Sequence, residues 1–74
     1  MKFKVEYSAC NDEAVNERNK KEAEEVIKKF LKSENVAFTY GEVMPSTYAE
    51  AMVKAEHGFS RRYVEGEIKE NEDD

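Results

Sequence analysis

Residues 17–32 read ERNKKEAEEVIKKFLK, and this stretch decides the fold because its apolar residues recur with helical spacing. They are Ala23, Val26, Ile27, Phe30 and Leu31. Residues three and four positions apart lie on one side of a helix, and those between them here are charged. The stretch therefore predicts an amphipathic helix whose apolar side needs strands to cover it.

The ends of this helix are predicted from polar residues that cap helices. We place its start within residues 16–19, because Asn19 and Glu22 have the spacing of a capping box. Asp12 offers an earlier cap. Asn35 is expected to end the helix, since asparagine tolerates the left-handed conformation.

The flanking segments predict three strands. Residues 1–7 alternate between apolar and charged side chains, and residues 36–44 alternate until Pro45 interrupts them. Residues 60–69 form the last strand, whose register is ambiguous. We favour Val64, Gly66 and Ile68 on its inner face, with Phe59 and Tyr63 marking the alternative.

A second helix is predicted between the last two strands. Ser46 or Thr47 caps its start, and Gly58 ends it. Its apolar stripe consists of Tyr48, Ala51, Met52 and Ala55. The order β-α-β-α-β predicts an α+β fold, namely a three-stranded sheet with both helices on one face and at least one parallel strand pair. We expect a single domain over residues 1–69 and a disordered acidic tail over residues 70–74.

Such a sheet has a second, uncovered face. The residues expected on it are Lys2, Lys4, Glu6, Ala37, Thr39, Val43, Tyr63, Glu65 and Glu67. A chain of 74 residues buries only about 60% of the surface that its unfolded form exposes. The uncovered face therefore predicts a homodimer, or docking of a partner on this face or on a sheet edge.

The net charge of −5 is distributed unevenly. Residues 1–64 contain eleven basic and eleven acidic residues and sum to zero, whereas residues 65–74 contain six acids and one lysine. The whole imbalance therefore belongs to the carboxyl-terminal segment.

Few residues offer catalytic chemistry. Cys10 and His57 are the only cysteine and histidine, so they cannot form an intramolecular disulfide or a zinc-ligand set. A cysteine after a strand is typically a packing residue, and a histidine before Gly58 favours the end of a helix. The three glycines are far apart and form no phosphate-binding loop. We predict no enzyme activity, cofactor or metal.

The chain contains no run that resembles a signal peptide or a membrane helix. With a single cysteine, a cytoplasmic location is the expectation. No association with a membrane is predicted.

Acidic residues are the leading candidates for a binding function. They are Glu42, Glu65, Glu67, Glu70, Glu72, Asp73 and Asp74. Carboxylates spaced along a strand can imitate a row of phosphates and occupy the basic site of a DNA-binding protein. The competing interpretation is a tail that only improves solubility.

A nucleic-acid interface is the alternative hypothesis. Aromatic and basic side chains on a sheet can stack on bases and contact phosphates. The candidate residues are Lys2, Lys4, Arg61, Arg62 and Tyr63. Against it, the neutral domain with an acidic end lacks the positive surface that nucleic-acid binding usually requires.

Three segments together carry a resemblance to a class of proteins. They are the strand start MKFKVEY (1–7), the helix NKKEAEEVIKKFLK (19–32) and the acidic end EGEIKENEDD (65–74). In general character the chain resembles the small proteins that bacteriophages make to disable host factors, some of which mimic DNA. The resemblance implies a phage-encoded inhibitor that acts in the host cytoplasm on a basic host protein. If the chain is a DNA mimic, that host protein is one that binds DNA.

Overall fold

The structure is a computed structural model that describes residues 1–68, so the tail predicted at residues 70–74 lies outside the described residues. The predicted element order and the α+β class are confirmed. The elements are β1 (Lys2–Ala9), α1 (Glu13–Leu31), β2 (Val36–Val43), α2 (Tyr48–His57) and β3 (Ser60–Ile68).

The three strands form one sheet in the order β1-β3-β2, and both strand pairs are antiparallel. The expected parallel pair was therefore wrong. β1 and β2 do run in the same direction, as a helical crossover between them requires, but β3 lies between them and pairs with both. Sequence order alone does not reveal this insertion.

Helix α1 begins earlier and ends earlier than its polar residues suggested. Asp12 is the N-cap, and its carboxylate accepts the backbone N–H of Ala14 at 3.0 Å. Asn19 lies inside the helix and caps nothing. At the other end Lys32, not Asn35, adopts the left-handed conformation, with φ of 56°. The Asn19 and Asn35 assignments were thus wrong, because the helix already has a good cap at Asp12 and ends one turn before Asn35.

The core lies between α1 and the middle of the sheet. Ala23, Ile27 and Leu31 are buried against Val64 of β3, as the helical spacing predicted. Val26 and Phe30, the other two apolar residues on this side of α1, lie at the margin of the core and are half exposed.

The favoured register of β3 is confirmed, because Val64, Gly66 and Ile68 lie on the face toward α1. A Cβ at Gly66 would lie 2.5 Å from Cγ2 of Ile27 and 2.8 Å from Cγ1 of Val36. The missing side chain therefore lets α1 approach the central strand closely.

Helix α2 has the predicted caps. The hydroxyl of Thr47 accepts the backbone N–H of Glu50 at 3.1 Å, and Gly58 adopts a φ of 75°. Its position differs from the expected layer of two helices, because α1 alone packs along the sheet. None of the residues of α2 is buried, and the helix contacts the sheet mainly at β3. It lies at the end of the sheet where β2 ends and β3 begins.

Candidate binding surfaces

Among residues 1–68, nothing covers most of the sheet face opposite α1, as predicted, and this face is called the open face below. Strand alternation and register place on it four side chains from each strand. They are Lys2, Lys4, Glu6, Ser8, Ala37, Thr39, Gly41, Val43, Arg61, Tyr63, Glu65 and Glu67. All nine predicted members are therefore on one face.

The centre of the open face is the ring of Tyr63. A Cβ at Gly41 would lie within 2.6 Å of this ring, so the glycine provides the space in which the ring lies across β2. On the other side, the ammonium of Lys4 is 5.2 Å from the ring centroid, within the range of a cation–π contact. Gly41 of β2 thus accommodates a neighbouring aromatic side chain.

Charges of opposite sign on the open face are paired between β1 and β3. Glu67 is directly opposite Lys2 and Glu65 is directly opposite Lys4 in the β1–β3 register. Arg61 lies 3.7 Å from the carboxylate of Glu6. Opposite charges in facing positions stabilise a strand pair modestly. This part of the surface is therefore close to neutral, and its polar groups are arranged in pairs.

The predicted acidic residues do not all meet on this face. Glu65 and Glu67 lie on it, while Glu42 belongs to the other face, where its carboxylate lies 3.0 Å from the ammonium of Lys54. Hydrogen bonds from Lys54 and Ser60 lower the pKa of Glu42. The other four residues of the prediction lie outside the described residues. They are Glu70, Glu72, Asp73 and Asp74.

The residues predicted to bind nucleic acid are also divided between the two faces of the sheet. Lys2, Lys4, Arg61 and Tyr63 share the open face. Arg62 points to the α1 side, where its guanidinium donates to both carboxylate oxygens of Glu13 at 3.3 and 3.5 Å. This contact raises the pKa of Arg62 and ties β3 to the first turn of α1. Arg61 and Arg62 thus cannot act together on one surface.

A second exposed surface is formed at α2. Its apolar stripe, predicted to face the core, points away from the sheet, with Tyr48 81% and Met52 38% exposed. Met44 and Phe59, which flank the helix in the chain, are 78% and 53% exposed. The sequence contains this stripe but does not say what covers it, because a core helix and an interface helix have the same apolar spacing.

The opposite side of α2 leans over one end of the open face. It forms a shallow cleft of about 350 Å³ with Ser8, Val43 and Arg61 of the three strands. The helix residues in this cleft are Ala49, Glu50, Val53 and Lys54. The Lys54–Glu42 ion pair links the helix to β2.

A polar cluster joins α1 to β2 on the other face of the sheet. The hydroxyl of Tyr40 donates to the carboxylate of Glu24, and the ammonium of Lys20 lies 4.9 Å from the Tyr40 ring centroid. Partial burial of the phenol and its bond to Glu24 raise the pKa of Tyr40 to about 12. A phenol that keeps its proton to this pH serves as a hydrogen-bond donor and not as a base.

Cys10 and His57 have ordinary structural surroundings. The backbone N–H and C=O of Cys10 are both bound by the buried side-chain amide of Asn16, at 2.9 and 2.7 Å. His57 is exposed and lies 3.6 Å from Glu56. Among residues 1–68, no three side chains of histidine, cysteine, aspartate or glutamate are grouped as a metal site would require.

No helix within the described part of the chain has the length and apolarity needed to cross a membrane.

Comparison of the chain with protein-family models, with curated proteins and with solved structures finds no significant match. The features of the chain that bear on its function are therefore the open face, the α2 surface and the acidic carboxyl-terminal segment.

Proposed function

We propose that this protein is a non-enzymatic binding protein that docks its open face and acidic carboxyl-terminal segment on a basic site of another protein. The specific version, suggested by the resemblance to phage proteins, is inhibition of a host protein in the host cytoplasm. A DNA-binding protein is a suitable target, because its basic site is built to accept rows of negative charge.

One observation carries the proposal. Within residues 1–68, the three-stranded sheet leaves most of one face uncovered, and its central strand β3 contains the start of the segment 65–74 that holds the entire charge imbalance. Because Lys2 and Lys4 face Glu67 and Glu65, the sheet contributes shape and paired polar groups. Of the surplus of −5, residues 69–74, which follow β3 in the sequence, contribute −3, and Glu65 and Glu67 within β3 contribute the other −2.

The test begins with capture of partners from a bacterial lysate on the immobilised full chain, with and without nuclease. The captured protein is then purified, and its dissociation constant is measured at about 50 mM and about 500 mM salt. We expect the affinity to fall steeply at high salt, because exposed charges are screened. Binding that does not respond to salt contradicts the proposal.

Two variants locate the charges that matter. A chain that ends at Lys69 loses four carboxylates and should lose most of the electrostatic affinity, at roughly two- to fivefold per charge. Glu65→Gln with Glu67→Gln should cause a smaller loss, since Lys4 and Lys2 already compensate these acids. Glu22→Gln with Glu25→Gln is the matched control on the exposed side of α1, and it should leave the affinity unchanged.

Single-stranded nucleic acid is the second candidate ligand. The observation in its favour is that Lys2, Lys4 and Arg61 share one accessible face with the ring of Tyr63, on which Lys4 lies 5.2 Å from the ring centroid. In that case RNA itself would be retarded in a gel shift. Arg61→Ala would abolish the shift and Arg62→Ala would not, because Arg62 lies on the other face.

A further inference from the structure

Strand β2 is the less protected of the two edges of the sheet. Half of the backbone N–H and C=O groups of an edge strand point away from its neighbour, and β3 is the only strand that pairs with β2 among residues 1–68. At the other edge, β1 carries Lys2 and Lys4, which oppose further pairing, and α1 packs beside it through the stacked rings of Phe3 and Phe30. β2 contains no lysine, arginine or proline, so its outer edge is suited to one more strand.

We propose that the edge formed by residues 36–43 accepts an extended segment of the partner protein as a fourth strand, and that basic and apolar residues alternate along this segment. The inference rests on the function proposed above and names the kind of basic site that the chain binds. Backbone hydrogen bonds along the edge provide affinity, and the side chains on the two faces of the added strand provide specificity.

On the open face, carboxylates lie just behind this edge. Ala37 is directly opposite Glu67 of β3. Thr39 is directly opposite Glu65, and neither of these short side chains of β2 carries a charge. Because neighbouring strands are about 4.8 Å apart, a long basic side chain on the added strand can extend over the short residues toward the carboxylates. Basic residues are therefore expected on the side of the added strand that joins the open face.

The charge around this edge favours a basic segment over a second copy of the chain. Ile68, the last residue of β3, is opposite Val36, so the acidic residues of the segment 69–74 follow in the sequence from the point where β2 begins. A second copy would bring the same acids, and its own β2 has no basic residue to face them. A segment that contains lysine or arginine is electrostatically complementary to this end of the edge.

On the side of α1, the edge presents aromatic rings. Helix α1 packs mainly on β1 and β3, and Tyr40 of β2 remains 50% exposed. Its ring centroid is 6.4 Å from that of Phe38, which packs at the margin of the core. Apolar side chains of an added strand would cover these rings. Since side chains alternate between the two faces of a strand, basic and apolar residues must follow one another along the segment.

The probe is a synthetic peptide of the length of β2, 8 residues, blocked at both ends, in which arginine and valine alternate. It is titrated into the full chain at about 50 mM salt while the backbone amide signals are followed by NMR. We expect the largest shifts in residues 36–43, with slower hydrogen exchange of the β2 amides that point outward. One control peptide has all its arginines before its valines, and another has glutamate in place of arginine. Both should bind about fivefold more weakly or worse.

Ala37→Lys with Thr39→Lys gives β2 the protection that lysines give to β1. Both positions are exposed, so the circular dichroism should remain that of the folded chain. The dissociation constant of the alternating peptide should rise about fivefold or more, because two like charges then face its arginines. Glu22→Gln with Glu25→Gln changes the net charge by the same amount on the exposed side of α1. This matched control should keep the dissociation constant within about twofold.

Several results would overturn the proposal. They are the absence of binding at about 1 mM peptide, shifts that leave residues 36–43 unaffected, equal binding of the control peptides, and unchanged affinity in the double lysine variant. Signals of β2 that depend on protein concentration without peptide would also overturn it, because they would mean that a second copy occupies the edge. If a captured protein binds with the expected salt dependence while the peptide fails, the proposed function stands and only the addition of a strand is wrong.

Discussion

Tyr40 joins the helix and the sheet through a single hydroxyl group. Its pKa of about 12 lies above the ordinary value of 10.0, because burial and the bond to Glu24 favour the protonated phenol. A raised pKa adds stability that is complete below pH 10 and is lost as the pH rises toward 12. The stability of the folded chain should therefore decline over this interval.

Replacing Tyr40 with phenylalanine isolates this effect. In a spectrophotometric titration, the variant should lack the phenol that ionises near pH 12 in the unaltered chain. Its free energy of unfolding should be lower than that of the unaltered chain at pH 8, and the difference should shrink as the pH rises. A difference that stays constant would mean that Tyr40 acts by packing alone.

Gly66 illustrates what a single residue reveals in the sequence and what it does not. The alternation of Val64, Gly66 and Ile68 was enough to place all three on the inner face. The reason for a glycine there is the approach of Ile27, which belongs to a helix about forty residues earlier. Local spacing therefore predicted the direction of the residue but not the contact that requires it.

At the level of elements, helix and strand periodicity were predictable because they depend on neighbouring residues. Helix ends were less so, since several polar residues compete for the same role. The structure selects Asp12 over Asn19 as the cap of α1. Strand order was not predictable, because nothing in the local sequence states that β3 inserts between β1 and β2.

The choice of cap can be measured. Asp12→Ala removes the acceptor for the Ala14 N–H and should lower the free energy of unfolding by about 1 kcal/mol. Asn19→Ala is the control, and it should be neutral or slightly stabilising because alanine favours the interior of a helix. Urea denaturation of both variants provides the comparison. Equal losses would show that the helix starts nearer Asn19 in solution.

At the level of the whole molecule, the two ends of the sheet differ in character. The described part measures 51 × 24 × 16 Å. At one end, β3 leads into the acidic segment, and at the other α2 carries the exposed apolar stripe. The open face was predicted from strand alternation and from two helices on one side of the sheet, and in the structure α1 alone covers that side. The outward direction of the α2 stripe was not predictable, because a helix that packs in a core has the same apolar pattern.

This division predicts an uneven pattern of amide hydrogen exchange. α1 and β3 share the core and should exchange most slowly, while α2, which buries none of its residues, should exchange fastest among the helices and strands. Exchange in α2 that is as slow as exchange in α1 would contradict this pattern, because it would mean that α2 packs on the sheet as tightly as the helix that carries the core.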